Sequence, residues 1–195
     1  MDIRSKRKLK KQTEVLKNPK ATGPDPVYAV FDKLGMDGWE NETVLVNGSY
    51  DGEFPKTYGH YHPEHAPPEK YELVSGQGVF LLQKKFYDEN GKWIPEKVRE
   101  VLLVKAEKPG TQIVVNPDYG HSWSNVGNEP LVTLDDWTYK HTPGDYIHIE
   151  RLRGMAYYLV EKNGEVEAIP NSNYKDLPKP KWITSEDLLQ PKQKF

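Results

Sequence analysis

Through the middle of the chain, short runs of apolar, β-branched and aromatic residues alternate with clusters of Gly, Pro, Asn and Asp. Short runs bounded by turn formers are the pattern of strands rather than helices. They predict strands over residues 43–47, 70–75, 79–86, 98–105, 112–115, 121–126, 131–139, 156–161 and 166–169. Two Asn-Gly pairs, Asn90-Gly91 and Asn163-Gly164, fall between such runs. Both residues of the pair tolerate positive φ, so each predicts a two-residue hairpin turn. Strands this short at such even spacing predict an all-β antiparallel sandwich or barrel.

The two ends read differently. Residues 1–26 form a polar leader rich in Lys and Arg, with a short exposed helix predicted over 8–16 and extended chain from Pro24 and Pro26 onward. Residues 171–195 form a tail rich in Pro and Lys that wraps the surface and ends in a helical turn over 185–190. A barrel domain over 27–170 lies between them.

Composition narrows the function. A chain of 195 residues suits one domain, and its 36% hydrophobic content is partly offset by 11% aromatic residues, each burying a large area. With 27 basic against 29 acidic residues, the chain has no general attraction to nucleic acid or to an anionic membrane. No apolar run approaches the roughly 20 residues that span a bilayer. The leader lacks interleaved aromatics and reads as a solvated strap, not a nucleic-acid arm. With no apolar stretch behind it, it is not a secretory signal, and cytoplasm is the expected compartment. Cysteine is absent, so any metal site must use His and carboxylate.

Three of the six histidines carry the candidate chemistry. His60 and His62 stand at i and i+2, which in extended chain puts both imidazoles on one face. Glu69 and Gly76 follow, and a second block with Gly110, Pro117, Gly120 and Asn125 delivers His121 at the start of a strand. Three neutral imidazoles and one carboxylate suit one divalent ion, Fe, Mn, Ni, Co or Zn, with positions left open for substrate. His65, His141 and His148 lack such company and read as surface or packing residues.

These two blocks resemble the motifs of the cupin superfamily, whose fold is a double-stranded β-helix, or jelly roll. The gap from His62 to Glu69 is longer than the usual cupin gap, and Phe54 replaces a usual glycine. Residues 57–83, TYGHYHPEHAPPEKYELVSGQGVFLLQ, are similar to the core block of the archaeal-type cupin phosphoglucose isomerases, as are residues 110–130 and 163–166. The likeness spans roughly residues 27–169. It implies a metal held by His60, His62, Glu69 and His121, and interconversion of glucose 6-phosphate and fructose 6-phosphate, with mannose 6-phosphate as a further substrate. It implies phosphate binding by Thr43, Thr57 and Gly59, where a missing Cβ lets a ligand approach. Glu69 and Tyr71 are the implied catalytic residues, Tyr71 sharing the strand parity of Glu69. Tyr28 and Tyr146 are implied pocket residues, and a homodimer is the implied assembly.

One departure stands out: Gly144 occupies the place of a family histidine, and His141 and His148 are nearby substitutes although neither aligns with it. Tyr139, a shift-dependent match, reads as a packing residue. No Arg or Lys is placed to neutralise a phosphate; Lys56 and Lys84 are nominal candidates only. Two other readings compete with the isomerase: a metal cupin of the dioxygenase type, and a non-catalytic sugar-phosphate sensor.

Overall fold

The computed structural model describes residues 2–189. At its centre β5 (Gly78–Tyr87) pairs on one side with β6 (Trp93–Ala106) and on the other with β8 (Tyr119–Asn125). The apolar run of β5 is buried on both faces. Phe80 and Leu82 enter one core cluster, while Val79 and Leu81 enter another. At the far edge of β6, β12 (Lys181–Ile183) adds a parallel strand.

Facing this sheet is a second one, in the order β1 (Ile3–Arg7), β2 (Tyr28–Met36), β3 (Trp39–Leu45), β9 (Leu131–Asp135), β4 (Glu69–Ser75) and β7 (Gln112–Val115). Leu45, Tyr71, Leu73, Ile113 and Leu131 meet Phe80, Leu82, Leu102 and Trp123 between the sheets. Two largely antiparallel sheets closed over one core make the jelly roll that the resemblance implies. Alongside β8 the chain runs extended past the histidine motif. Asn125 N–H donates to the Pro55 carbonyl at 2.8 Å, Thr57 N–H to Trp123 at 2.9 Å, and His60 and His121 exchange backbone bonds at 3.2 and 3.0 Å.

A third layer covers the outer face of β5 and β6. It consists of α2 (Pro143–Arg151) and the hairpin of β10 (Tyr157–Lys162) and β11 (Glu165–Pro170). Ile149, Leu152, Met155 and Leu159 pack there on Val79, Leu81, Val101 and Leu103. No helix among the described residues is long and apolar enough to cross a membrane.

Several local expectations change. Asn163-Gly164 is a two-residue turn with φ of 53° and 82°, closing the Lys162–Glu165 pair. Asn90-Gly91 is not: Tyr87 pairs with Trp93 across a five-residue loop, residues 88–92, in which Gly91 but not Asn90 has positive φ. The reason is Asp88, whose carboxylate accepts from the N–H groups of Asn90 and Lys92 at 2.9 Å each. The strand predicted over 131–139 stops at Asp135, whose side chain accepts the Trp137 N–H at 3.2 Å and turns the chain away. Tyr139, read as packing, is 57% exposed.

The helix expected over 8–16 is one turn of α1 (Leu9–Gln12) followed by a 3₁₀ turn over Thr13–Val15. Residues 3–7 of the leader form an edge strand on β2, and Gln12, Val15 and Leu16 are buried. In the tail, α3 (Ser185–Leu189) follows β12; Gln190, the last residue of the predicted helical turn, lies outside the described residues.

Candidate metal centre and its cavity

His60, His62, Glu69 and His121 converge from three pieces of chain: the extended segment before β4, the start of β4, and β8. One ligand atom from each lies within 4.8 Å of the others. The i, i+2 spacing works although residues 60–62 are not part of a named strand. Tyr61 points the opposite way, where the Gln83 amide donates to its hydroxyl at 2.5 Å, so both imidazoles face Glu69. The Tyr61 N–H donates to the Asp145 carbonyl at 3.0 Å, tying the motif to the first turn of α2.

Within the group, the Glu69 carboxylate accepts from His62 Nε2 at 2.7 Å and lies 3.2 Å from His121 Nε2. Burial pushes the Glu69 carboxyl up, but hydrogen bonds from His121 and His62 outweigh it and hold the group at about 2. Burial drives the His60 ring well below its ordinary value, helped by the neighbouring imidazoles of His121, His141 and His62. His62 is likewise lowered by burial, with Glu69 acting against it. Both shifts favour the neutral imidazole at His60 and His62, the form that ligates metal.

Two buried nitrogens lack partners among the described residues, and the one on His60 bears on what the group can hold. His60 Nε2 and His62 Nδ1 are buried without a hydrogen-bond partner among the described residues. An orphaned imidazole nitrogen facing two more imidazoles and a carboxylate is costly unless it has a ligand. The donor set, three imidazole nitrogens and one carboxylate, fits a first-row divalent ion.

The quartet opens into a cavity of about 140 Å³. Thr43, Thr57, Gly59, Tyr28, Tyr71 and Tyr146 all line it, together with His60, Glu69 and His121. The Tyr71 hydroxyl lies 3.1 Å from His121 Nε2, and burial keeps its phenol protonated, with the Glu69 charge adding to the shift. Thr57 Oγ1 accepts the Trp123 N–H at 3.0 Å, which leaves its own hydrogen to donate. Gly59 sits at φ +83°, and a Cβ there would meet Met155 Sδ at 2.8 Å. Packing against Met155, as well as backbone conformation, therefore requires glycine at 59.

Other cavity residues were not anticipated from sequence, except His141 as an unaligned substitute for the histidine missing at Gly144. His141, read as a surface or packing residue, stands at the cavity wall with its ring 4.3 Å from that of His60. Gly144, three residues on, does not line this cavity at all. An imidazole is thus present near the quartet, delivered by the loop before α2 instead of by its first turn. His148 packs on Trp93 at 4.4 Å and His65 is exposed, as read from sequence. Trp137 lies 3.7 Å from the His62 ring, and Asp135 and Asn41 join the wall through a 2.6 Å bond from the Asn41 amide. Lys56 and Lys84 are absent from the cavity, whereas Arg4 and Arg7 of the leader line it.

A glucose-6-phosphate isomerase (GPI) family model matches residues 6–177 of the chain. Proteins named glucose-6-phosphate isomerase are similar over most of its length. That of Thermococcus onnurineus is 34% identical over 76% of this chain and 71% of its own. That of Pyrococcus abyssi is 34% identical over 77% and 75%. The Thermococcus litoralis protein is 33% identical over 81% and 74%. Among solved structures, a predicted oxalate decarboxylase from Thermotoga maritima overlaps 55% of this chain and 76% of that chain at 22% identity and a TM-score of 0.34, too loosely to carry an argument.

Proposed function

The chain belongs to the glucose-6-phosphate isomerase family, and on that premise we propose that it interconverts glucose 6-phosphate and fructose 6-phosphate, and accepts mannose 6-phosphate, with one divalent ion held by His60, His62, Glu69 and His121. The observation that carries this reading is the buried quartet with its unpartnered His60 nitrogen, open to a cavity walled by hydroxyl groups.

Aldose–ketose isomerisation moves a hydrogen between C1 and C2 and redistributes charge over the two oxygens. A bound divalent ion supplies Lewis acidity toward those oxygens. The chain's own part is to orient them. The Tyr71 phenol, protonated at working pH, is placed to donate to an oxygen near the quartet. Thr57 retains a hydroxyl hydrogen for a phosphate oxygen, and Thr43 lies on the same cavity wall.

Glu69 is the carboxylate nearest the reacting centre, but a carboxylate that ligates a metal ion is a weak base. That favours direct transfer of hydrogen between the carbons. Fructose 6-phosphate turned over in D₂O is then expected to give glucose 6-phosphate without deuterium at C2, whereas deuterium there would restore Glu69 or a neighbour as the base.

The reading as a whole is tested with His121→Ala. The variant is expected to keep a native circular dichroism spectrum while losing bound metal and at least 100-fold in kcat/KM, a scale set by loss of the charge-stabilising group. Full turnover in a variant shown to be metal-free would overturn it. A homodimer, as in the family resemblance, belongs to the same proposal; light scattering at the mass of one chain would remove it.

A further inference from the structure

A hexose phosphate brings a dianion into a partly desolvated cavity, and hydroxyls alone leave that charge without a cation. The leader brings two arginines to the wall, Arg4 and Arg7, which among the described residues are the basic side chains lining it. Their commitments differ. Arg4 Nε pairs with Asp32 at 3.0 Å, and its Nη1 donates to Asn41, so its fork is already engaged.

Arg7 is not. Its Nε donates to the Tyr28 hydroxyl at 3.1 Å, and among the described residues its Nη atoms have no hydrogen-bond acceptor and no carboxylate within ion-pair distance. The guanidinium lies 4.6 Å from the Tyr58 ring centre and 5.8 Å from that of Tyr28. Two rings and the Tyr28 hydroxyl border it, and a half-buried cation is held with its outer N–H groups unspent. Backbone pairing holds it as well: Arg7 faces Tyr28 in the β1–β2 ladder, and Val27 N–H donates to its carbonyl at 2.8 Å. Tyr58 directly follows Thr57 and precedes Gly59, so the same ring joins the cation to the two loop positions implied in phosphate binding. From there Tyr146 links Tyr58, at 5.9 Å, to His60, at 5.7 Å. The cation is thus two rings removed from the quartet, as the C6 end of a hexose is removed from C1 and C2.

We propose that Arg7 is the phosphate-binding cation of this cavity, and that the leader strand β1 exists in part to deliver it. The inference rests on the sugar-phosphate reading of the cavity. Arg7 binds the phosphoryl oxygens through its outer N–H groups, while Thr57 and the Gly59 backbone contact the same group from the loop.

The experiment compares wild type with Arg7→Met and Arg7→Lys in the full, metal-loaded chain, by two readouts. The first is fructose 6-phosphate turnover. Arg7→Met is expected to raise KM about 10- to 100-fold, the loss typical of a charge-assisted hydrogen bond, with kcat changed less than threefold and bound metal unchanged. Arg7→Lys, which keeps the charge but not the fork, is expected to fall between the two. The second is binding of inorganic phosphate by titration calorimetry, which does not depend on turnover and should weaken in the same order. Unchanged KM together with unchanged phosphate affinity in Arg7→Met would overturn the assignment while leaving the isomerase intact. A wild type that binds phosphate through Arg7 yet turns nothing over would keep the assignment and remove the isomerase. If Arg7→Met does not fold, the same measurements on Arg7→Gln decide the question.

Discussion

Lys56 and Glu53 form an ion pair at 2.5 Å with both side chains out of solvent, and the second Glu53 oxygen accepts the Lys17 N–H at 2.7 Å. The pair fastens the leader to the chain just before the histidine motif, with the Gln12 amide donating to the Lys56 carbonyl at 3.0 Å. Removing one partner strands a buried charge, so Lys56→Met is expected to cost about 3–5 kcal/mol in urea denaturation, with the double variant Lys56→Met/Glu53→Gln recovering much of it. A single variant within 1 kcal/mol of wild type would show the pair to be solvated. Asp135 is a second buried ionisable group with a different consequence. Burial raises its carboxyl to about 8 and the Glu69 charge adds to this, against the Asn41 amide and the Trp137 N–H. In the metal-free protein the folded state then holds a proton that the unfolded chain releases, so this group's contribution to stability falls from about pH 4 to about pH 8 and is level above that. Asp135→Asn should flatten that part of the profile; parallel stability curves for the two proteins would contradict the raised value.

Helix α2 holds Tyr146 at the cavity wall and Asp145 behind the histidine motif, and its start is specified locally. Thr142 and Asp145 form a reciprocal capping box around Pro143, with Thr142 N–H donating to Asp145 Oδ2 at 2.8 Å. Thr142→Ala is expected to lower stability by about 1 kcal/mol and to raise amide exchange first in residues 143–151; uniform exchange across the chain would place the loss elsewhere. The Thr-Pro-Gly-Asp run is a legible helix start that periodicity alone passes over, because only Asp145 and Ile149 of this short helix are buried. The β strands were readable for the opposite reason: β4, β7 and β8 each sit between turn formers, and their side chains alternate or are wholly buried. The His60–His62 pair was equally open to reading, since extended chain fixes the i, i+2 geometry without any tertiary knowledge, whereas Glu69 and His121 were joined to it only by motif spacing and resemblance. Arg7, Asp135 and Trp137 were not legible, and His141 only as an unaligned substitute, because each reaches the cavity through a long-range pairing or a turn. The leader's lysines stay exposed, and Arg7 stands apart from them only once β1 is seen against β2.

Across the whole molecule, both ends are built into the barrel rather than appended to it. The leader supplies an edge strand and Arg7, while the tail supplies β12 on the opposite sheet and the buried Tyr174, whose hydroxyl donates to Gly154 at 2.9 Å and accepts from Gln83 at 3.1 Å. Two sheets, an outer helical layer and the leader thereby enclose one cavity lined by His60, Glu69 and His121 and by Arg7 of the leader. The most direct test is conversion of fructose 6-phosphate to glucose 6-phosphate by purified protein stripped with a chelator and then titrated with Fe(II), Mn, Co, Ni or Zn. The account predicts that turnover disappears on stripping and returns in proportion to bound ion, saturating at one per chain. Turnover that survives complete removal of the ion, or that never returns although one ion rebinds per chain, would contradict it.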